Sequence, residues 1–285
     1  MNKFLITGGS GQLGMCFKAV SDKFPSLDLF FAGKEIVNIN DPSTLKNIYN
    51  KFRFDGIINC AAYTNVDNSE NDFESAFLIN YKSLKNLVSF CREKKLKLIH
   101  FSTNYVFDGT SKYPYSEEDI PNPINIYGKS KYKGEQLIKN SNCEHVIIRI
   151  SSLFSPYGKN FVETIKNQCL SNKNLTIVKD EWINPTYGID LAKLILKQLS
   201  NQYFFEYSLY HFANRGCTNW FDFANQICKL LNMECKIESC LSIDYQSPAT
   251  RPQFGLLDTS RIENHLSLSI ATWEDALKRS LKNII

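Results

Sequence analysis

The stretch ITGGSGQLG, residues 6–14, ends a short apolar run and begins a segment in which Leu13, Phe17 and Val20 have helical spacing. Glycines at positions 8, 11 and 14 give the spacing GxxGxxG. Glycine lets the backbone approach a pyrophosphate closely, and a helix N-terminus offers unpaired N–H groups and the positive end of a dipole. The alternative is a glycine turn that binds no ligand. The order of strand, loop and helix favours a dinucleotide-binding loop.

Outward from this loop, predicted strands and helices alternate through the first half of the chain. The strands are buried apolar runs without polar alternation, which is typical of a parallel sheet covered on both faces. We predict an α/β fold with a Rossmann-type, doubly wound parallel sheet and a smaller mixed C-terminal lobe. Residues 1–150 would form the NAD(P)-binding domain and 151–285 mainly the substrate-binding lobe. No linker separates them, so the boundary is soft and some later segments are candidates to return to the sheet. The predicted strands after the first are 27–32, 55–62, 96–102 and 145–150, and the predicted helices include 41–52, 69–93 and 127–140.

Composition narrows the class of protein. The chain has 285 residues and a net charge of +4, with its lysines spread along the sequence, so we expect no nucleic-acid or membrane partner. No apolar run reaches the roughly 18–20 residues of a membrane helix, and the first residues lead directly into a strand, so we predict a cytoplasmic protein. Nine cysteines without a CxxC motif are expected to be core residues, not disulfides or metal ligands. His100 is expected to be structural.

Two tyrosine–lysine pairs have the four-residue spacing that places both side chains on one helix face. Tyr127 and Lys131 begin the helix after the fourth strand, whereas Tyr81 and Lys85 lie within an earlier helix. Ligands of open parallel sheets lie at the carboxyl ends of the strands, which favours Tyr127 and Lys131. The alternative for Tyr81 is helix packing.

A reaction follows from this pair. Free tyrosine has a pKa of about 10, and a nearby ammonium lowers it. Lys131 could provide that charge while Ser102 or Thr103, after the fourth strand, hydrogen-bonds a carbonyl. We predict hydride transfer from a nicotinamide to a ketone, with Tyr127 as the acid.

The cofactor preference is read from the end of the second strand. The usual acid for the adenine ribose is missing, since Ala32 and Gly33 are followed by Lys34, and the first carboxylate is Glu35. Lys34 could contact a ribose 2′-phosphate, which weakly favours NADPH over NADH. The alternative is an exposed lysine in a turn.

Several motifs in unchanged order carry a family resemblance. TGGSGQLG, STNYVFDGT and YGKSKYKGE together resemble the extended short-chain dehydrogenase/reductase family. INCAAYTNVDNSE, NPTYGIDLA and RPQFGLLDTS are similar to its dTDP-4-dehydrorhamnose reductase group, and the likeness runs from residue 3 to about residue 278. The resemblance implies NAD(P)H-dependent reduction of a nucleoside-diphosphate 4-keto-6-deoxy sugar, which would supply an activated deoxy-sugar for surface polysaccharide.

The resemblance also implies the site residues. The catalytic set would be Thr103, Tyr127 and Lys131. Besides Tyr127 and Lys131, the cofactor would contact Gly8, Gly11, Gln12, Leu13, Asn38, Ile39, Ala61, Ala62, Tyr63 and Asn80. Lys34 is added to this set from its place after the second strand, not from the resemblance. The nucleotide sugar would contact Val66, Thr103, Asn104, Tyr105, Phe107 and Arg251. Alternatives are that Tyr105 and Phe107 pack in the core and that Arg251 pairs with an acid.

The chain departs from the group's pattern at three positions. Ser152 stands where the group has a tryptophan that shapes the sugar pocket, so we expect a larger or more polar pocket. Cys16 replaces a glutamate that holds magnesium at a dimer interface in some members, so no metal is expected and monomer and homodimer both stay open. Asn38 replaces an aspartate near the adenine and can still accept a hydrogen bond.

Two other functions stay open from the sequence. An epimerase or epimerase-reductase on the same fold would need an added acid/base pair, commonly Cys and His, and none lies in the predicted pocket segments. A non-catalytic, cofactor-binding regulatory subunit is the second alternative, which an intact Thr103, Tyr127 and Lys131 disfavours.

Overall fold

The computed structural model of the chain describes residues 2–171 and 174–282. The strands in chain order are β1 Asn2–Thr7, β2 Leu27–Ala32, β3 Gly56–Asn59, β4 Lys97–Thr103, β5 His145–Ile150, β6 Leu153–Phe154, β7 Leu175–Val178, β8 Trp182–Ile183, β9 Thr186–Tyr187, β10 Leu209–Phe212, β11 Thr218–Asn219 and β12 Ile237–Cys240. The α-helices are α1 Gln12–Val20, α2 Pro42–Phe52, α3 Val66–Asn71, α4 Phe73–Phe77, α5 Leu84–Lys94, α6 Ile126–Lys139, α7 Phe161–Leu170, α8 Gly188–Gln198, α9 Trp220–Leu230, α10 Ser260–His265 and α11 Trp273–Lys282.

Six parallel strands form the central sheet in the order β2-β1-β3-β4-β5-β10. The chain leaves β1 for β2 on one side and returns to β3 on the other, so the strand order reverses between β1 and β3. A crevice at such a reversal is where doubly wound sheets bind ligands. The predicted fold class is confirmed. The sixth strand, β10, comes from beyond residue 150, so one later segment does return to the sheet, while the domain boundary itself stays a prediction.

Side chains of the strands alternate between two apolar cores, one on each face of the sheet. Phe4 and Ile6 pack with α1, α8 and the C-terminal lobe, whereas Leu5 packs with α2 and α5. Because both faces are covered, the strands are mostly apolar and lack regular polar alternation, which is why the sequence predicted a parallel sheet.

The prediction of one helix over residues 69–93 was wrong. The segment divides into α3, α4, a π-helical turn at Leu78–Lys82 and α5. Asp72 ends α3 and caps α4 by accepting a hydrogen bond from the Ser75 N–H at 3.3 Å. Apolar spacing alone does not register such breaks, because the successive helical pieces keep burying one face.

The C-terminal lobe rests on short strand pairs and packed helices. The pairs are β7 with β12, β8 with β11 and β6 with β9. Helices α7 and α9 contact each other, and α9 also contacts β7 and β12. Among the described residues, no helix combines the length and apolar character that crossing a membrane requires.

Candidate active site

The glycine loop has the geometry of a pyrophosphate cradle. Gly8 has a φ of +63°, a conformation that glycine adopts without strain. An ideal Cβ on Gly14 would lie 2.4 Å from the Gly8 carbonyl oxygen, so any larger residue would push the loop off the helix. Gly11 is the N-cap of α1, no side chain caps that end, and the first turn holds no acid. The free N–H groups and the helix dipole therefore suit an anion there. Leu13 is buried and could offer only its backbone, while the Gln12 amide donates to the Leu153 carbonyl at 3.3 Å.

The end of β2 places opposite charges side by side. Lys34 is exposed, as the turn alternative also expects. The Glu35 carboxylate folds back over Gly33, and an ideal Cβ at Gly33 would lie 2.2 Å from Glu35 Oε1. A carboxylate therefore lies at the strand end after all, which sequence spacing did not indicate. Beyond it, Asn38 caps its own turn by accepting from the Asn40 N–H at 3.1 Å, and Ile39 is buried.

The loop after β3 is fixed from below by a buried asparagine. Asn80 accepts from the Tyr63 N–H at 2.9 Å and donates to the Tyr63 carbonyl at 3.0 Å. Its amide also donates to Ser130 Oγ on α6 at 3.0 Å. Asn80 lies within the π-helical turn, a feature often found at functional sites. It thereby holds the backbone of Tyr63, which with Ala61 and Ala62 forms the half-buried loop after β3.

Helix α6 brings Tyr127 to the carboxyl edge of β4. Asn125 caps the helix by accepting from the Gly128 N–H at 2.8 Å. An ideal Cβ on Gly128 would lie 2.1 Å from the Tyr105 carbonyl oxygen, so glycine permits the close approach of α6 to the turn after β4. Burial raises the pKa of Tyr127 to about 12, opposed by a hydrogen bond with Thr103. The Thr103 hydroxyl also accepts from the Tyr105 N–H at 3.2 Å.

Lys131 differs from the sequence expectation. Its ammonium was expected to lower the pKa of Tyr127. In the structure, Nζ instead donates to the Phe101 carbonyl at 2.5 Å. The main influence on the pKa of Tyr127 is burial, not the charge of Lys131. Lys131 is 2% exposed, and burial lowers its pKa to about 8 against the opposing charge of Glu135. It therefore loses its charge near neutral pH more readily than an ordinary lysine.

His100, expected to be structural, contacts Lys131. A buried polar chain runs across three strands: Thr7 donates to Asn59 Oδ1 at 2.6 Å, and Asn59 Nδ2 lies 2.9 Å from His100 Nδ1. His100 Nε2 lies 3.4 Å from Lys131 Nζ. Burial, then the charge of Lys131, lowers the pKa of His100 well below its ordinary value, so the ring is neutral. A polar residue two positions before Ser102 inside an apolar strand was the signal available in the sequence.

Replacing His100 by Phe is expected to lower kcat/KM about tenfold to a hundredfold, since misplacing a reacting group by about 1 Å can cost that much. The reason is that Lys131 Nζ loses one of its two neighbours. His100→Gln keeps a polar atom near Nζ and should recover most of the activity and the wild-type pH profile. Equal losses in both variants, with an unchanged pH profile, would assign His100 to packing alone.

Beyond Tyr127, aromatic and charged side chains line a cavity of about 290 Å³. Tyr105 lies between this cavity and Tyr127, with ring centroids 6.0 Å apart at 81°. Arg251 also lines the cavity, and its Nη2 donates to both carboxylate oxygens of Asp67, at 2.9 and 2.8 Å. The acid-pairing alternative for Arg251 is thus observed, although its location on the cavity wall leaves it facing any ligand. Sequence reasoning missed the remaining walls, which include Phe161, Glu181 and Trp220.

Three other predicted contacts lie around this region. Phe107 is fully buried and stacks on Tyr115 with centroids 4.1 Å apart, which is the packing alternative. Asn104 is buried and donates to the Gly255 carbonyl at 2.9 Å. Ser152 is half-buried with a φ of +45°, and Val66 is half-buried at the start of α3.

The second tyrosine–lysine pair, Tyr81 and Lys85, lies apart from this site. Tyr81 lies in the π-helical turn, and Lys85 Nζ lies 5.5 Å from the centroid of its ring. Both line an open groove between α5 and α6, away from the carboxyl edge of the sheet.

Comparison with known proteins finds a family model, curated relatives and a crystal structure that match the chain over nearly its full length. The family model described as RmlD substrate binding domain matches residues 1–285. A dTDP-4-dehydrorhamnose reductase from Aggregatibacter actinomycetemcomitans is 32% identical and covers 98% of each chain. The spore coat polysaccharide biosynthesis protein SpsK of Bacillus subtilis is 32% identical over 99% of this chain and 98% of its own. The crystal structure of dTDP-4-dehydrorhamnose reductase from Bacillus anthracis in complex with NADP has a TM-score of 0.92 and 32% identity, and covers 99% of this chain and 100% of that chain.

More distant structures share the fold alone. A UDP-glucose 4-epimerase from Thermus thermophilus in complex with NAD has a TM-score of 0.83 at 16% identity, covering 98% of each chain. The full-length match of the family model and relatives above 30% identity place the sequence in one group, in agreement with the resemblance of its motifs. The chain belongs to the family described as RmlD substrate binding domain.

Proposed function

We propose that the chain is an NAD(P)H-dependent oxidoreductase that reduces the keto group of a nucleoside-diphosphate 4-keto-6-deoxy sugar. One observation carries this proposal: Thr103, Tyr127 and Lys131 lie together at the carboxyl edge of β4, in the sheet whose first strand enters the glycine loop. Relatives named dTDP-4-dehydrorhamnose reductase support the same reaction, and the relative named as a spore coat polysaccharide biosynthesis protein supports a role in supplying an activated deoxy-sugar for polysaccharide.

The residues present fit a dinucleotide. The glycine loop and the uncapped N-terminus of α1 would hold its pyrophosphate, the half-buried loop after β3 its riboses, and Lys131 the nicotinamide ribose. When bound, the reduced nicotinamide supplies the hydride. Tyr127 supplies the proton: its raised pKa keeps the phenol protonated through the ordinary pH range, and Thr103 orients it.

The nucleotide sugar is assigned to the cavity beside Tyr105. Arg251 would face its diphosphate, since a guanidinium matches phosphate oxygens, and the aromatic walls would take the base or the ring. None of the residues lining this cavity is Cys or His, which favours a reductase over an epimerase. A cytoplasmic location and the choice between monomer and homodimer stay predictions.

The test is NADPH oxidation with a panel of 4-keto sugar nucleotides, repeated with Ser152→Trp and with Ser152→Gly as its control. Oxidation with at least one member supports the proposal. If Ser152 widens specificity, the tryptophan variant should narrow the range of accepted sugars and the glycine variant should not. Tight cofactor binding with no oxidation by any sugar would instead favour a regulatory subunit.

Lys34→Ala is expected to raise the KM for NADPH severalfold and leave that for NADH nearly unchanged. An exposed lysine near a 2′-phosphate contributes about 1 kcal/mol or less, which sets this modest size. Glu35→Gln should act in the opposite direction by removing the carboxylate that folds over Gly33. Equal changes in the KM values for NADPH and NADH would show that Lys34 does not contact the 2′-phosphate.

A further inference from the structure

Three cysteines that are far apart in sequence meet in the C-terminal lobe. Cys169 is in the last turn of α7, Cys228 is in the last turns of α9, and Cys235 lies in the segment before β12. Their three Sγ atoms all lie within 4.8 Å of one another, and those of Cys169 and Cys228 are 3.2 Å apart. All nine cysteines of the chain, each within the described ranges, are thiols. The spacing of 59 and then seven residues has no motif signature, so sequence reasoning assigned them to the core.

The separation of the sulfurs suits one central atom. A thiophilic ion bound at about 2.3 Å from each of three sulfurs holds them about 4 Å apart. Cys169 is 4% and Cys228 6% exposed, and Cys235 is half-buried, so the cluster has one more open side. Small rotations of three side chains would complete a three-coordinate site.

Charge decides which ion fits. Two of the three thiols are almost fully buried, at 4% and 6% exposure for Cys169 and Cys228, so a net charge on the bound complex would be costly there. Three thiolates around a zinc ion would have a net charge of −1, and around a copper(I) ion −2, and an unpaired buried charge is costly. A trivalent ion makes the complex neutral.

We propose that Cys169, Cys228 and Cys235 form a trithiol site for a trivalent thiophilic metalloid such as arsenic. Arsenous acid is uncharged at neutral pH. One As(OH)₃ reacts with three thiols: three As–O and three S–H bonds break, three As–S and three O–H bonds form, and three waters leave. Arsenic stays trivalent, no proton is released, and no oxidant is needed.

The site has a direct connection to the cavity beside Tyr105. Helices α7 and α9 lie side by side in the same direction, because Phe161 meets Trp220 at their first residues, 4.7 Å between centroids, and Cys169 meets Cys228 eight residues later. At 1.5 Å rise per residue the thiols lie about 12 Å from those aromatic walls. A bound metalloid would therefore cross-link the two helices that carry one side of the cavity.

The test is titration of the reduced full-length protein with arsenite. We expect one arsenic per chain in the native mass spectrum, with the mass gain of arsenic less three hydrogens, and a rise in Tm. Cys228→Ser should bind about a hundredfold more weakly, since an intramolecular third bond is lost. Cys217→Ser, which removes an exposed cysteine elsewhere, should bind like wild type.

Cys235→Ser is the second variant, because its half-buried position makes a folding defect less severe. Absence of arsenic from the wild-type chain, or equal binding by the wild type and both cluster variants, would overturn the proposal. A complex of the wild type that retains its three hydrogens would do so too, since it would show that no thiol had reacted.

Discussion

Tyr127→Phe is expected to reduce kcat for keto-sugar reduction by about 10²–10⁴-fold, the usual contribution of a positioned proton donor. Phenylalanine keeps the ring that lies against Tyr105 and removes only the hydroxyl that hydrogen-bonds Thr103. Packing and stability should therefore change little. The KM for NADPH should stay within a factor of a few, because the proposed cofactor contacts are mainly those of the glycine loop and Lys131.

The chain contains its own matched control. Tyr81→Phe removes a hydroxyl from the other tyrosine with a lysine four residues later, and that tyrosine is half-buried in the α5–α6 groove. Its kcat should equal that of the wild type. Steady-state NADPH oxidation, together with cofactor affinity measured by fluorescence, separates chemistry from binding. Comparable activity of Tyr127→Phe and the wild type would remove Tyr127 from the mechanism and require another proton donor.

Some parts of the fold were predictable from the sequence, and others depend on contacts between distant residues. Strands such as β3 and β4 were predictable because both faces of the sheet are covered, so apolar residues predominate in them without regular polar alternation. The loop between β1 and α1 was predictable from its glycines, because the close approach of backbone segments there permits only glycine. The π-helical turn was not predictable from local spacing. Its residue Asn80 hydrogen-bonds Tyr63 and Ser130, and these contacts join residues up to 50 positions apart.

The site residues likewise fall into some that the sequence could predict and some that it could not. Tyr127 and Lys131 could be selected by their position after a strand, since topology alone places them at the carboxyl edge. His100 stood out as a polar residue in an apolar strand, but its contact with Lys131 was not predictable, because strand register decides which side chain faces α6. Phe161 and Trp220 were missed as cavity walls because apolar residues at helix starts give no functional signal. The Arg251–Asp67 pair joins residues 184 apart, which no local pattern reports.

Glu135→Gln is expected to lower the free energy of unfolding by about 3–5 kcal/mol, the usual cost of leaving one member of a buried ion pair alone. Arg149 on β5 donates to both Glu135 oxygens, at 2.9 and 2.7 Å, and the two side chains are 1% and 0% exposed. The pair fastens the helix that carries Tyr127 and Lys131 to the sheet. Its loss leaves a buried guanidinium whose other polar neighbour is the neutral His211 ring, 3.4 Å away.

Denaturant unfolding measures this effect, with Asp28→Asn as the control. Asp28 pairs with Lys3 at 3.3 Å, but about half of each side chain is exposed, so that pair should contribute less than about 1 kcal/mol. The double variant Glu135→Gln/Arg149→Met removes both charges and should recover much of the lost stability. A small change on Glu135→Gln alone would show that Arg149 finds another partner.

The same double variant tests the electrostatics of the site. Lys131 is charged below its pKa of about 8, so kcat/KM should fall as pH rises through that value. Two titratable groups face its ammonium: Glu135, whose negative charge raises the pKa, and His100, which is neutral there. Removing the charge of Glu135 therefore moves the alkaline limb of the pH profile to lower pH. Thr103 and Tyr127 are untouched, so kcat at pH 6 should be retained. An alkaline limb that stays in place would mean that the activity does not depend on the charge of Lys131.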